Sequence, residues 1–448
     1  MKNIIKNSFQ LTMLGFIFTT AGAQEPLSLT VEQAIATGLE RSKSLHASMT
    51  KVKYAEAKSG ETCKLRYPTL KFSGAYSRLS DVPPFEIGPF PPILIDRILI
   101  SPALINNYHL RLTLQQPLFT GFRLSNVAAM AKYSSEASAG HYRKDKLDLI
   151  YGIQNAYWGL YRALESKEVI DENVAQVEAH LKDIRNFYEQ GIVTKNEVLK
   201  VEVQLSNVQL LQIEIRNSVR LAEIGLNSLI GIPLETELNL KSNLRYEYKD
   251  YDELKDLVYC ALTDRPDIQA VELRVRAGEA GVSMARSGWF PQIFLQANYV
   301  YARPNPRIFP VEDRFKDTWD VSITASFDIW NWGTTFHQID QSEAQLSQVR
   351  DALDQLKDGA ILEVTEAYLS MKQDREKIAV AEKGVAQAEE NYRITNQKFQ
   401  SGLALNSELL DAEVAFLQSK FNFVQAIVDY KLAEARLQKA VGSEYSLK

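Results

Sequence analysis

The chain has 448 residues, 24% of them charged and 45% hydrophobic, and a formal net charge of -5 that gives no reason to expect a nucleic-acid partner. Two cysteines, Cys63 and Cys260, are too few and too far apart for a disulfide framework or a metal site, and the 5 histidines show no ligand spacing. Neither a glycine-rich phosphate loop, a nucleophile elbow nor a catalytic carboxylate pair stands out, so the expectation is a non-enzyme without catalytic, cofactor-binding or metal-binding residues.

Residues 1–23 combine Lys2 and Lys6, an apolar run around Leu11 to Phe18, and Ala21-Gly22-Ala23, which reads as a secretory signal cut after Ala23. Its loss takes the net charge to about -7. Gln24, not cysteine, stands directly after the cut, so a lipid anchor is not expected there. The remainder never approaches 18 consecutive apolar residues, which excludes a transmembrane helix but not a membrane strand.

Leu29 to Arg66 reads as a helix, with Thr30 as N-cap, Glu32 and Gln33 in the first turn, and a stop at Tyr67-Pro68. Asp252 to Ser287 repeats it: Leu39, Leu45 and Ala47 align with Leu262, Ile268 and Ala270, and Phe290-Pro291 repeats the stop. After each proline the period changes to two. Leu70, Phe72 and Tyr76 alternate with mostly polar neighbours, as do Ile293, Leu295, Ala297, Tyr299 and Tyr301. Partner strands follow at Leu110, Leu112 and Leu114, and at Val321, Ile323, Ala325 and Phe327. The reading is one β-hairpin per copy, about 69–118 and about 292–328, with a long proline-rich loop at 81–107 in the first.

A seven-residue step then marks long helices. Val364, Met371, Ile378, Val385, Tyr392 and Phe399 form one seam, and Ile153, Leu160, Lys167, Val174, Leu181 and Tyr188 form the other, 211 residues earlier. Each helix covers about 65 residues, or about 98 Å at 1.5 Å per residue. Each ends at a glycine, Gly191 or Gly402, and a second amphipathic helix returns, making an antiparallel helical hairpin. A short irregular linker, 230–251, is expected to form a small belt. The chain is therefore a duplication, with a first repeat at 24–250 and a second at 251–448.

Four amphipathic strands cannot cross a bilayer alone, because two open edges would leave backbone groups unpaired in hydrocarbon. Aromatic residues crowd the strand ends: Tyr76, Tyr108, Phe119, Trp289, Trp319, Trp330 and Trp332 fit the interfacial girdles of an outer-membrane barrel. Three chains of four strands would close a barrel of about twelve, whereas two would give about eight, too narrow for a passage. The fold class expected is thus an α+β membrane protein, a trimeric 12-stranded barrel continuing into a long α-helical barrel.

The layout resembles the TolC-like outer-membrane efflux protein family over essentially the whole mature chain. The resemblance rests on Tyr67-Pro68-Thr69-Leu70 and Phe290-Pro291-Gln292-Ile293, on Pro117-Leu118-Phe119-Thr120-Gly121 and Ile329-Trp330-Asn331-Trp332-Gly333, and on the tip segments 191–199 and 402–410. It implies a homotrimeric exit duct, seated in outer-membrane lipid and extending into the periplasm. Such a duct serves tripartite efflux or type I secretion as a passive channel, working with a periplasmic adaptor (membrane fusion) protein and an inner-membrane transporter. Gly191 and Gly402 match the adaptor-docking tips. Glu408 and Asp411 match carboxylates of the periplasmic entrance constriction. Glu197 matches a tip-tether position, while Ala404 stands where some members have the tether's arginine. Without the resemblance, Glu408 and Asp411 read as a solvated helix face, and a soluble periplasmic coiled-coil scaffold is the alternative function.

Overall fold

A computed structural model describes residues 27–88, 98–241 and 253–442, so the signal expected at 1–23 lies outside the described residues. The chain divides into two compact units. One holds Met1–Ser42, Leu149–Lys249 and Met371–Ala435; the other holds Lys43–Asp148, Asp250–Ser370 and Arg436–Lys448.

The first segment of the chain corrects the sequence reading. Leu27–Leu29 is a strand, β1, and the helix expected from Leu29 to Arg66 is two helices, α1 (Val31–Arg41) and α2 (Lys43–Lys64). Thr30 does cap α1: Gln33 N donates to Thr30 Oγ1 at 3.3 Å, and Thr30 N donates to Gln33 Oε1 at 3.0 Å. After it come β2 (Thr69–Arg78), β3 (Phe85–Ile87), β4 (Ile98–Ser101), β5 (Asn106–Phe119), α3 (Arg123–Glu189), α4 (Lys195–Ile230) and β6 (Leu238–Leu240). The second repeat supplies α5 (Leu254–Asp264), α6 (Pro266–Ala285), β7 (Gln292–Arg303), β8 (Lys316–Ser326), α7 (Thr334–Gln400) and α8 (Asn406–Val441).

The single helix expected at 252–287 is thus also two, and the breaks are equivalent. Ser42 (φ -64, ψ 116) and Arg265 (φ -60, ψ 122) both turn the backbone extended. Pro266 explains the second break, since it has no N–H to give and disfavours helical backbone in the residue before it. Ser42 instead donates its amide to Gly38 O at 2.9 Å and leaves the helix there without a proline.

In the unit holding the strands, β2, β5, β7 and β8 form one antiparallel sheet in that order. Its register lines up Phe72, Leu112, Tyr299 and Trp319 in one row and Leu70, Leu114, Ala297 and Val321 in another. The alternate row is Lys71, Thr113, Asn298 and Asp320. There Thr113 Oγ1 donates to Asn298 Oδ1 at 2.9 Å, and Asn298 Nδ2 donates to Asp320 Oδ2 at 2.9 Å. Period two in sequence has become one apolar and one polar face. The outer strands, β2 and β8, have no second strand partner among the described residues. Within the long first loop, β3 and β4 make a further small hairpin that the sequence reading left as loop.

The same unit is pinned at the second helix break. Arg265, nearly buried, donates to Asp267 at 2.8 Å, to Glu363 at 2.7 Å and to the Ala440 carbonyl at 3.1 Å. Burial pushes the Asp267 carboxyl up, but the hydrogen bond and charge of Arg265 outweigh it and hold that carboxyl below its usual range.

In the other unit, β1 pairs in parallel with β6, so the linker read as irregular holds a short strand at Leu238–Leu240. Asn227 Nδ2 donates to the carbonyls of Leu234 (3.2 Å) and Thr236 (2.8 Å), and Glu223 accepts from Leu238 N at 3.1 Å. Tyr157, wholly buried, donates its hydroxyl to Leu29 O at 3.1 Å.

Candidate functional site

The heptad residues of α3 and α7 turn inward near the helix ends. Ile170, Val174, Val177, Leu181 and Ile184 pack with Val198, Val201 and Val208 of α4, Phe399 of α7 and Leu409 of α8. This core supports two chain reversals, and their backbones are alike. Gly191 N donates to Tyr188 O and Ile192 N to Phe187 O, both at 2.9 Å; Gly402 N donates to Phe399 O at 3.0 Å and Leu403 N to Lys398 O at 2.8 Å. Both are Schellman endings, in which the glycine must be left-handed: φ is 76° at Gly191 and 74° at Gly402. No atom lies within 4 Å of a Cβ built on either glycine, so the backbone angle and not crowding requires them.

Apolar side chains are presented at both reversals. Ile192 is 64% exposed, Leu403 79% and Leu405 68%. A cavity of about 640 Å³ opens among Phe187, Val193, Glu197, Phe399, Asn406 and their neighbours.

Glu197 lies in the first turn of α4. Its carboxylate accepts from Lys200 Nζ at 2.9 Å and from Asn406 Nδ2, at the start of α8, also at 2.9 Å. The Lys200 hydrogen bond, then that of Asn406, hold the Glu197 carboxyl below its usual range. The first hairpin end is thereby tied to the second, with Asn406 as the partner where Ala404 offers none. Sequence reasoning missed Asn406, a polar residue beside a turn that contacts a position 209 residues away; nothing in local pattern marks such a contact.

Glu408 and Asp411 stand on an exposed face of α8. Glu408 turns back on its own helix, where Oε2 accepts from Leu405 N at 3.0 Å, the N-cap amide. Two residues past Asp411, Glu413 faces the opposite way and is buried. Its carboxylate lies 3.2 Å from His180 Nδ1 of α3, with side chains 1% and 3% exposed respectively, and the edge of Phe399 closes over the imidazole at 5.2 Å. The other imidazole nitrogen, Nε2, is buried without a hydrogen-bond partner. Nothing in the local sequence pattern marks this pair.

A family model described as outer membrane efflux protein matches residues 34–232 and 257–443. The outer membrane efflux protein BepC of Brucella suis biovar 1 is 24% identical over 330 residues, 73% of this chain and 71% of its own length. The alkaline protease secretion protein AprF of Pseudomonas aeruginosa is 24% identical over 345 residues, 75% of this chain and 70% of its own. Among solved structures, the outer membrane protein VceC of Vibrio cholerae has the same fold, with a TM-score of 0.77 over 93% of this chain and 97% of that one at 19% identity.

Proposed function

Because the chain belongs to the outer membrane efflux protein family, we propose that it acts as a homotrimer, three four-stranded sheets closing a 12-stranded barrel in the outer membrane and the helices forming its periplasmic part. The protein is an outer-membrane efflux channel. The observation that carries the trimer is the sheet: one continuous apolar face, and two outer strands, β2 and β8, whose free edges demand partners in hydrocarbon. A neighbouring copy supplies those partners by pairing β8 against β2. Along α4, exposed Leu199, Val203, Leu210, Ile213 and Leu221 offer an apolar stripe for the same assembly. The test is the mass of the detergent-solubilised particle: three chains are expected, and a stable monomer overturns the assembly.

The duct is passive and is coupled to a periplasmic adaptor and an inner-membrane pump. Adaptor docking falls to the hairpin ends at Gly191 and Gly402, where the exposed apolar residues Ile192, Leu403 and Leu405 need covering. Since any side chain at Gly191 or Gly402 is strained by the positive φ, the charge is better placed on their exposed neighbours, as Ile192→Arg and Leu403→Arg. Such variants are expected to lose efflux while keeping membrane location and oligomer mass; unchanged efflux argues against docking there. Glu408 and Asp411 form the entrance constriction, supported by their exposure on one face of the first turns of α8. Glu197 serves as the tip tether through Asn406. The protein's segments fall into a signal at 1–23 and repeats at 24–250 and 251–448, each with a β-hairpin and a helical hairpin. BepC is named for efflux and AprF for alkaline protease secretion, so small compounds and polypeptides are both cargo classes to assay.

A further inference from the structure

Where the sheet hands over to helices, the two repeats share a left-handed turn but surround it with different side chains. In the first, the register of β5 slips between Pro117 and Phe119, which brings Phe119 opposite Ile293 on the apolar face. The chain then turns through two left-handed residues, Gly121 (φ 61) and Phe122 (φ 65). Gly121 is forced twice over, since a Cβ there would lie 2.7 Å from both Phe290 Cβ and the Ser287 carbonyl. Phe122 is not a glycine, and a bulky residue is held in that region only against steric strain. Its ring, 60% exposed, meets Phe119 at 5.5 Å and Phe290 at 6.0 Å, both edge-on.

Beside these rings lies a cavity of about 320 Å³ whose lining includes Arg66, Leu118, Phe119, Phe122, Leu124 and Ser125. The Arg66 guanidinium has no hydrogen bond or ion pair among the described residues. Lys64 and Arg123, both exposed, flank the same junction in sequence, and the nearest preceding carboxylate, Glu61, is already taken by Lys58 at 2.8 Å. The second repeat turns through two left-handed residues as well, Trp332 (φ 54) and Gly333 (φ 79), but Trp289 stands where the first has Arg66, and its ring packs edge-on against Phe336 at 5.5 Å.

We propose that the first junction binds an anionic phospholipid of the periplasmic leaflet, the Arg66 guanidinium taking the phosphate and an acyl chain lying against Leu118, Phe119 and Phe122. The site deepens the outer-membrane reading, on which it rests: the apolar face ends at Phe119, so the cavity opens at headgroup level, where a guanidinium is tolerated and aromatic rings are favoured. Guanidinium and phosphate match in geometry and charge, and a cation at an anionic lipid surface is attracted to it.

The test is native mass spectrometry of the full-length protein in detergent, with phosphatidylglycerol and phosphatidylcholine added in equal amounts. Wild type is expected to retain phosphatidylglycerol preferentially, and Arg66→Ala to lose about fivefold in that occupancy, the equivalent of about 1 kcal/mol. Arg66→Lys should restore part of the loss, while Arg286→Ala, at a cation already paired with Glu343 (2.9 Å), should change nothing. Inorganic phosphate at the same concentration should not displace the lipid. Equal lipid occupancy in Arg66→Ala overturns the site. Displacement by phosphate makes it a free-anion site, and loss of oligomer mass in Arg66→Ala makes Arg66 a subunit contact; either also overturns it. Membrane fractionation of the wild type separately tests the reading beneath, and failure there overturns both.

Discussion

Glu197 and Glu408 stand 211 residues apart at the third position of equivalent helices, on equivalent glycine reversals, yet their carboxylates do different things. In the first repeat Lys200 follows by three residues and bonds to Glu197, and Asn406 reaches the same carboxylate from the other hairpin end. In the second repeat the position of Lys200 is held by Asp411, and Glu408 merely caps its own helix. One tip is neutralised and tied; the other carries two carboxylates with no lysine between them. The difference shows how a duplicated backbone, fixed by the same hydrogen bonds and the same φ > 0 glycines, leaves its exposed first turns free to diverge into a cross-bonded carboxylate and an acidic face.

The same divergence recurs one turn further on, and there it can be tested hardest. Glu202 and Glu413 are also equivalent, but Glu202 pairs with Arg185 at 2.7 Å on the surface, whereas Glu413 is buried against His180. Glu413→Ala strands the imidazole in an apolar site and should cost about 3 kcal/mol, read as a denaturation midpoint. Glu202→Ala should cost less than about 1 kcal/mol, because exposed ion pairs contribute little. Equal losses would erase the distinction between the repeats.

A smaller effect separates the two first-turn carboxylates. Glu197→Ala takes the 2.9 Å acceptor from the Asn406 amide, only 6% exposed, leaves it the backbone oxygen of residue 197 at 3.4 Å, and should cost about 1–2 kcal/mol. Glu408→Ala removes one capping bond and should cost about 0.5–1 kcal/mol. Thermal melts of the two variants in one detergent decide the order.

Smaller still is the pH signature of the tether. The Glu197 carboxyl is held below its usual range in the fold, so it is protonated less readily there than in the unfolded chain, where it titrates near about pH 4.3. Its contribution is therefore complete above that pH and is lost as pH falls below it. Between about pH 4 and pH 2 the stability of wild type should fall more steeply than that of Glu197→Gln. Parallel curves would mean that the tether carries no net weight.

Much of this was legible beforehand because it rests on local period and punctuation. The heptad step of Val364 to Phe399, the alternation through Leu70 and Phe72, the Thr30 cap and the tip glycines each act within a turn or two of sequence. The helix breaks were harder. The reading of 252–287 as one helix passes over Pro266, its counterpart Ser42 carries no breaker mark at all, and a continuous amphipathic pattern runs through both. The Asn406–Glu197 bond and the His180–Glu413 pair join segments 209 and 233 residues apart, so only packing could reveal them. The slip at Pro117 that moves Phe119 onto the apolar face hides in sequence for the same reason: alternation predicts a face, and a bulge reverses it.

The central claim is a passive duct whose entrance is lined by the second tip's carboxylates. It is tested most directly by the reversal potential of the purified oligomer in a planar bilayer under a KCl gradient. Cation selectivity with block by multivalent cations is expected for wild type, since gathered carboxylates attract cations, and Asp411→Lys, which gives the second tip the charge pattern of the first, should shift the reversal potential toward anions and relieve the block. An unchanged reversal potential and unchanged block in Asp411→Lys would contradict the account, leaving Glu408 and Asp411 as a solvated helix face.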